Sequence, residues 1–166
     1  FTLTIMKTIL VCVTSDLSTD NRILRHCELM HQMGFRVHLI GRILPWSPPM
    51  PALPYPVHRV KLPFLKGPLF YLSYQCWLFF FLLFKKADII WANDLDTVLP
   101  CFLVSKLRRH MFVVDSHELF TEVPELSKAP IKKSIWKFIE KHFAVKANIF
   151  ITVNQSLAGI FHEKYG

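Results

Sequence analysis

Glycine is scarce in this chain, with five residues in 166, and none lies in the first strand-to-helix turn, Ser15-Asp16-Leu17-Ser18-Thr19-Asp20. A G-x-G-x-x-G dinucleotide fingerprint or a P-loop needs glycine where the backbone approaches phosphate, so neither is present. The four cysteines, Cys12, Cys27, Cys76 and Cys101, stand alone in apolar segments without C-x-x-C or Cys/His spacing. A zinc site or a disulfide framework is therefore not expected, and free buried thiols fit a reducing cytosol. There is no H-E-x-x-H and no nucleophile elbow. Phe1–Met6 has neither a basic start nor a small-residue cleavage site, so no secretory leader is expected there. Met6-Lys7 reads as a natural start, and a cytoplasmic location is the expectation.

Acidic residues are also few, 12 against 20 Lys and Arg, which leaves a formal charge of +8. That balance suits nucleic acid, an anionic membrane surface or phosphate-bearing ligands without choosing among them. With 52% hydrophobic and 14% aromatic residues, the chain can bury a sizeable core and is not disordered. One domain over residues 1–166 is expected, since domains run roughly 100–200 residues.

What the sequence has is a set of short apolar, β-branched runs that turn polar at one end. Phe112-Val113-Val114-Asp115-Ser116-His117-Glu118 is the clearest. Asp88-Ile89-Ile90-Trp91-Ala92-Asn93-Asp94-Leu95-Asp96 and Ile9-Leu10-Val11-Cys12-Val13-Thr14-Ser15-Asp16 follow the same rule. Buried parallel strands read this way, and ligands of open α/β sheets bind outside the carboxyl ends of the strands.

In chain order, Thr8–Thr14 is predicted as the first strand, and Ser18 and Thr19 read as helix caps or as anion ligands. Ile23, Cys27, Met30 and Met33 recur at helical spacing up to Gly34. Phe35–Ile40 is the second strand, closed by Gly41-Arg42. Pro45–Pro56 holds six prolines in twelve residues and must be a loop. Val57–Leu62 is the third strand. Pro68–Phe84 runs for seventeen residues without a charge, which suits a crossover helix covered on most sides or a helix that dips into a bilayer face, spans needing roughly 20 apolar residues. Asp88–Ala92, Met111–Asp115 and Asn148–Val153 are the remaining strands. Thr97–Arg109, Ile131–Lys146 and a segment starting at Asn154-Gln155-Ser156 are helices. Six strands alternating with helices make a doubly wound, Rossmann-like α/β domain with a mainly parallel six-stranded sheet.

His117 and Glu118 fall at a predicted strand end. They read either as a satisfied polar pair at a loop start or as a hydrogen-bonding His with an acidic neighbour facing the cleft. Asp94 and Asp96 are placed for acid–base work near His117, or for capping the Thr97 helix. The other seven histidines share no spacing and read as structural or superficial. In Ile131–Lys146, Ile131, Ile135, Phe138, Ile139 and Phe143 share one face, with Lys132, Lys133, Lys137 and Lys141 opposite. That basic face, with Trp136 at its boundary, is a solvated surface or a seat on the anionic inner face of the cell membrane. The aromatics cluster in Phe79-Phe80-Phe81, which suits burial rather than nucleic-acid stacking.

These pieces, taken together, resemble a known family. Ser15-Asp16…Asp20-Asn21-Arg22, Leu29…Gly34-Phe35-Arg36-Val37, Ala92-Asn93-Asp94, Asp115-Ser116-His117-Glu118 and Val153-Asn154-Gln155-Ser156 are similar in order and spacing to the N-terminal, acceptor-side domain of retaining glycosyltransferases of the two-domain GT-B architecture, family four. The resemblance implies transfer of a sugar from a nucleotide-diphosphate sugar to a glycan or lipid-linked acceptor, in cell-surface polysaccharide synthesis, with no metal or other cofactor. It implies that His117 contacts the donor sugar, with Glu118 beside it. Together with the strand-end reading, it makes Ser15, Asp16, Ser18, Arg22, Asn93, Asp94, Asp96 and Asn154 the candidates for substrate contact. Many relatives carry a glycine pair where this chain has Ser15-Asp16. The family's main donor-binding domain, with a Glu-x7-Glu motif, is expected beyond Gly166, so residues 1–166 alone are expected to be inactive. The alternatives are a sugar-nucleotide epimerase of the same architecture and a non-enzymatic membrane-surface module.

Overall fold

In the computed structural model, which describes residues 6–123 and 129–165, each β-branched run forms a strand of one sheet. The strands are β1 (Thr8–Asp16), β2 (Arg36–Arg42), β3 (Val57–Val60), β4 (Ile89–Asn93), β5 (Met111–Ser116) and β6 (Ile149–Thr152). All pairings are parallel, in the order β3-β2-β1-β4-β5-β6. The order reverses between β1 and β4, which opens a crevice at their carboxyl ends. The helices are α1 (Asn21–Gln32), α2 (Pro68–Leu83), α3 (Leu95–Arg108), α4 (Pro130–His142) and α5 (Gln155–Tyr165). The doubly wound, Rossmann-like architecture read from the sequence is the one observed.

Side chains alternate across each strand and feed two cores. Leu10, Cys12, Ile90, Phe112 and Val114 face α2, α3 and α4. Ile9, Val11, Val37, Leu39 and Val113 face α1, through Ile23, Cys27 and Met30. Cys12, Cys27 and Cys101 are buried as expected, whereas Cys76 is exposed.

The uncharged stretch forms α2, a crossover helix. Phe70, Tyr74, Leu78 and Leu82 recur every fourth residue and are all buried. Each buried Leu contributes about 1.5–3 kcal/mol. The opposite face leaves Leu69, Leu72, Phe80 and the following Phe84 exposed. Among the described residues no helix is long and apolar enough to cross a membrane.

Several boundaries move for identifiable reasons. Gly41 lies inside β2 rather than ending it, paired with Arg59 of β3, and a Cβ there would stand 2.6 Å from Leu17 Cδ2. The residue lets Leu17 pack flat on the strand. β3 stops at Val60, and α3 starts at Leu95, two residues before the predicted Thr97. The predicted Ile131–Lys146 helix ends at His142, followed by a 3-10 turn over Ala144–Lys146.

The facing of α4 also differs. Trp136, Ile139 and Glu140 point inward, while Ile131, Ile135 and Phe138 are exposed. Two anchors fix this rotation. The Trp136 ring packs edge-on to Tyr71 and Phe120, and the buried Glu140 carboxylate accepts from Lys164 Nζ at 2.6 Å and from the Tyr165 hydroxyl. Trp136 is therefore a core residue and not part of a membrane-facing boundary. Of the predicted loop Leu119–Pro130, residues 124–128 lie outside the described residues, and Phe120–Glu122 form a 3-10 turn.

Candidate functional site

The polar strand ends converge as the sequence predicts. Asn93 pairs in register with Asp115 across β4 and β5. Both residues are 2% exposed. Among the described residues neither amide atom of Asn93 has a hydrogen-bond partner, while Asp115 Oδ2 and His117 Nε2 lie 3.4 Å from each other without a closer partner. Buried polar groups are normally paired, so the bare Asn93 amide leaves a donor and an acceptor for a ligand at this sheet edge.

His117 lies just past β5, with its Nε2 3.4 Å from Asp115 Oδ2. His26 of α1 approaches the same oxygen through Nδ1 at 3.6 Å, and the two imidazoles face each other at 6.0 Å. Asp94 holds this group from the other side. Its Oδ1 accepts the main-chain N–H of His117 at 3.1 Å, and its Oδ2 pairs with Arg22 at 3.5 Å. Asp94 adopts φ 58°, ψ 166°, a region that non-glycine residues occupy at a cost of about 1–3 kcal/mol. Glu118 is exposed, and its carbonyl accepts from the Ser116 hydroxyl at 3.0 Å.

Asp94 and Asp96 do not act as the predicted caps. Asp94 occupies the cap position of α3 without a side-chain cap bond. Asp96 turns away from His117 and accepts from the Thr14 hydroxyl. Pro100 has no N–H to offer the Asp96 carbonyl one turn back, and the Gln75 amide donates to it instead. Burial, reinforced by the Asp94 charge and opposed by Thr14, pushes the Asp96 carboxyl up to about 7.

The first turn is tied down by its own residues. Asp20, not Ser18 or Thr19, caps α1 by accepting from Ile23 N–H at 3.2 Å, and Ser15 donates to Asp20 at 2.6 Å. Asp16 accepts from Ser47 at 2.6 Å and from Ser18 N–H at 3.1 Å, and pairs with Arg59 at 3.5 Å. These bonds outweigh burial and hold its carboxyl below the usual value. Ser18 accepts from Arg59 at 2.7 Å. Asp16 and Ser18 thus fasten the proline-rich loop and β3 to the edge of the crevice. Asn154 caps α5 by accepting from Leu157 N–H at 2.8 Å. It lines a cavity of about 580 Å3 between β6 and α5.

The basic face of α4 is partly neutralised. Lys133 and Lys137 pair with Glu122 at 2.5 and 3.4 Å. Lys132 and Lys141 make no ion pair among the described residues.

Sequence reasoning missed His26 and Asp20, and left Asp115 out of the site. His26 follows Arg22 by four residues, so helical phase alone places both on one face of α1. Among the described residues no group of three or more His, Cys, Asp or Glu is placed to hold a metal ion. The edge offers paired donors and acceptors in Asn93, Asp115 and His117, with a half-exposed Arg22 guanidinium beside them. That combination suits a polyhydroxylated ligand carrying an anionic group.

Residues 20–166 match the family described as Glycosyltransferase Family 4. Among solved structures, sucrose-phosphate synthase from Thermosynechococcus elongatus aligns with a TM-score of 0.64 at 14% identity, over 95% of this chain and 45% of that one. At that identity the likeness is one of fold. This chain spans less than half the length of that structure. A search of curated protein sequences finds no match.

Proposed function

The chain belongs to glycosyltransferase family 4, and from that membership we propose that it is the acceptor-side domain of a retaining enzyme. The enzyme would move a sugar from a nucleotide-diphosphate sugar to a glycan or lipid-linked acceptor in cell-surface polysaccharide synthesis. One observation carries the reading: the unpartnered amide of Asn93 at the crevice, beside the Asp115–His117 pair. Sugar hydroxyls both donate and accept, and so match such a mixed set. In this reading His117 hydrogen-bonds a hydroxyl of the donor sugar, and Asp115, His26 and Asp94 hold its ring and backbone. Arg22, in the first turn of α1, lies near Asp94 and Asp20 at 3.5 and 4.0 Å and is half exposed, so in this reading its guanidinium turns to the donor phosphate at a helix N-terminus that favours an anion.

The bond from the anomeric carbon to the leaving phosphate oxygen breaks, and the acceptor oxygen bonds to that carbon on the same face. The acceptor proton passes to the departing phosphate, so the step asks no side chain to act as base. Stabilising the departing phosphate is the large electrostatic contribution, and in this proposal it comes mainly from a second domain. The 45% coverage of the structural neighbour is compatible with half of such an enzyme. Association with the inner face of a membrane belongs to the same proposal. It is supported by Lys132, Lys141 and the exposed apolar residues of α2 and α4.

The test is an assay of the full-length protein with a panel of nucleotide sugars and acceptors. A glycosylated acceptor with the donor's anomeric configuration is expected. Conversion of the nucleotide sugar into its epimer, without an acceptor, would overturn the reading.

A further inference from the structure

A groove of about 360 Å3 runs between α2 and α4, floored by Tyr71, Leu99, Trp136 and Ile139, with Leu72 and Ile135 as its lips. Leu72 is 61% exposed and Ile135 55%, so two large apolar side chains face each other across an open slot. Resting on the reading of the carboxyl edge as a transfer site, we infer that this groove holds the apolar chain of an acceptor lipid whose head is a phosphate.

The lining is apolar along its length and polar at one end. Gly67 and Pro68, the start of α2, and Lys132, in the first turn of α4, line that end. Two helix N-termini therefore converge there, each favouring an anion, beside a lysine without an ion pair among the described residues. Among the described residues no carboxylate lines the groove. Gln75, also in the lining, has its Oε1 buried without a partner, while its Nε2 donates to the Asp96 carbonyl. That bond connects the groove wall to the first turn of α3, two residues from Asp94.

In a right-handed βαβ unit the helix following a strand begins at the carboxyl edge of the sheet. The cationic end of the groove therefore opens on the same edge as Asn93, Asp94 and His117. An amphiphile seated with its chain between α2 and α4 would anchor its phosphate at that edge and hold a sugar hydroxyl linked to it at the transfer site. A free sugar acceptor would leave the slot without a role, since hydroxyls gain nothing from such walls. Its volume lies in the range of small-ligand sites, roughly 300–1,000 Å3.

The test uses the full-length protein and a fluorescently labelled geranylgeranyl phosphate below its micellar concentration, with binding read by anisotropy and no donor present. Saturable binding is expected. Leu72→Glu and Ile135→Glu should each weaken it at least tenfold, and Lys132→Glu should reduce the preference for the phosphate over the corresponding alcohol. Both lip residues are exposed, so circular dichroism should show the variants folded. Absent binding, or binding unchanged in both lip variants, overturns the inference. So does a wild-type dimer in light scattering that the lip variants convert to monomer, because the groove would then be a self-interface. The probe reports without turnover, so a protein that binds it but transfers no sugar would overturn the proposed function and leave the groove assignment standing.

Discussion

The carboxylate of Asp94, beyond the end of β4, accepts the main-chain N–H of His117, beyond the end of β5, at 3.1 Å. The bond joins two loops that would otherwise move separately, and it is made from a backbone conformation that disfavours every residue but glycine. Asp94→Gly relieves about 1–3 kcal/mol of strain and loses a charge-assisted bond worth about 1.5–3 kcal/mol. These nearly cancel. Calorimetry should show a melting temperature within a few degrees of wild type, while transferase activity falls at least tenfold. A large fall in melting temperature with activity retained would make Asp94 purely structural.

The buried Asp96 carboxyl, pushed up to about 7 from 3.8 by burial, sets a second expectation. The folded state keeps this proton at a pH where the unfolded chain has lost it, so stability falls as pH rises from about 4 to about 7 and levels off above. Asp96→Asn removes that decline. In urea unfolding the variant should gain on wild type at pH 8 by a few kcal/mol at most and show little difference near pH 4. An identical pH profile in the two proteins would place the Asp96 proton elsewhere.

His38 and His58 stack at 5.5 Å on adjacent strands, with Nδ1 of one 3.2 Å from Nε2 of the other and Phe81 against His58. Burial, aided by the Lys85 charge, holds both below their ordinary value. The fold therefore favours the neutral rings, and its stability is present above pH 6.5 and lost as pH falls below it. His58→Phe keeps the ring contacts and should flatten the fall in melting temperature between pH 7 and pH 5. A fall as steep as that of wild type would clear the pair of any role in it.

Membrane association is checked by sedimentation with lipid vesicles. The full-length protein should pellet with anionic vesicles and less so in high salt. Exchanging Lys132 and Lys141 for Glu should release it. Equal pelleting with neutral and anionic vesicles would remove the electrostatic part of the proposal.

The sheet was legible because strand chemistry is local: Ile89–Asn93 and Met111–Ser116 are apolar runs with polar ends, and their order follows from alternation with helices. Details set by long-range contacts were not. The rotation of α4 depends on Tyr71, Phe120 and Tyr165, none of them on that helix. Asp20 holds the cap position because α1 begins at Asn21, while the Ser18 hydroxyl accepts from Arg59, forty-one residues away, and that of Thr19 donates to the Asp16 carbonyl. Of the site, His117, Asn93 and Asp94 could be read from strand ends. His26 could not be read from composition, because only the packing of α1 on the sheet brings it to Asp115. Asp96 was read as a neighbour of His117, yet the proline at position 100 and Gln75 tie its turn to α2 instead.

The account turns on His117. In the full-length enzyme, kcat/KM of His117→Ala should fall roughly tenfold to a hundredfold, the equivalent of a hydrogen bond worth about 1–3 kcal/mol in the transition state. Its melting temperature should stay at the wild-type value. A folded, thermally unchanged His117→Ala enzyme with full transferase activity would contradict the assignment of the transfer site to this edge of the sheet.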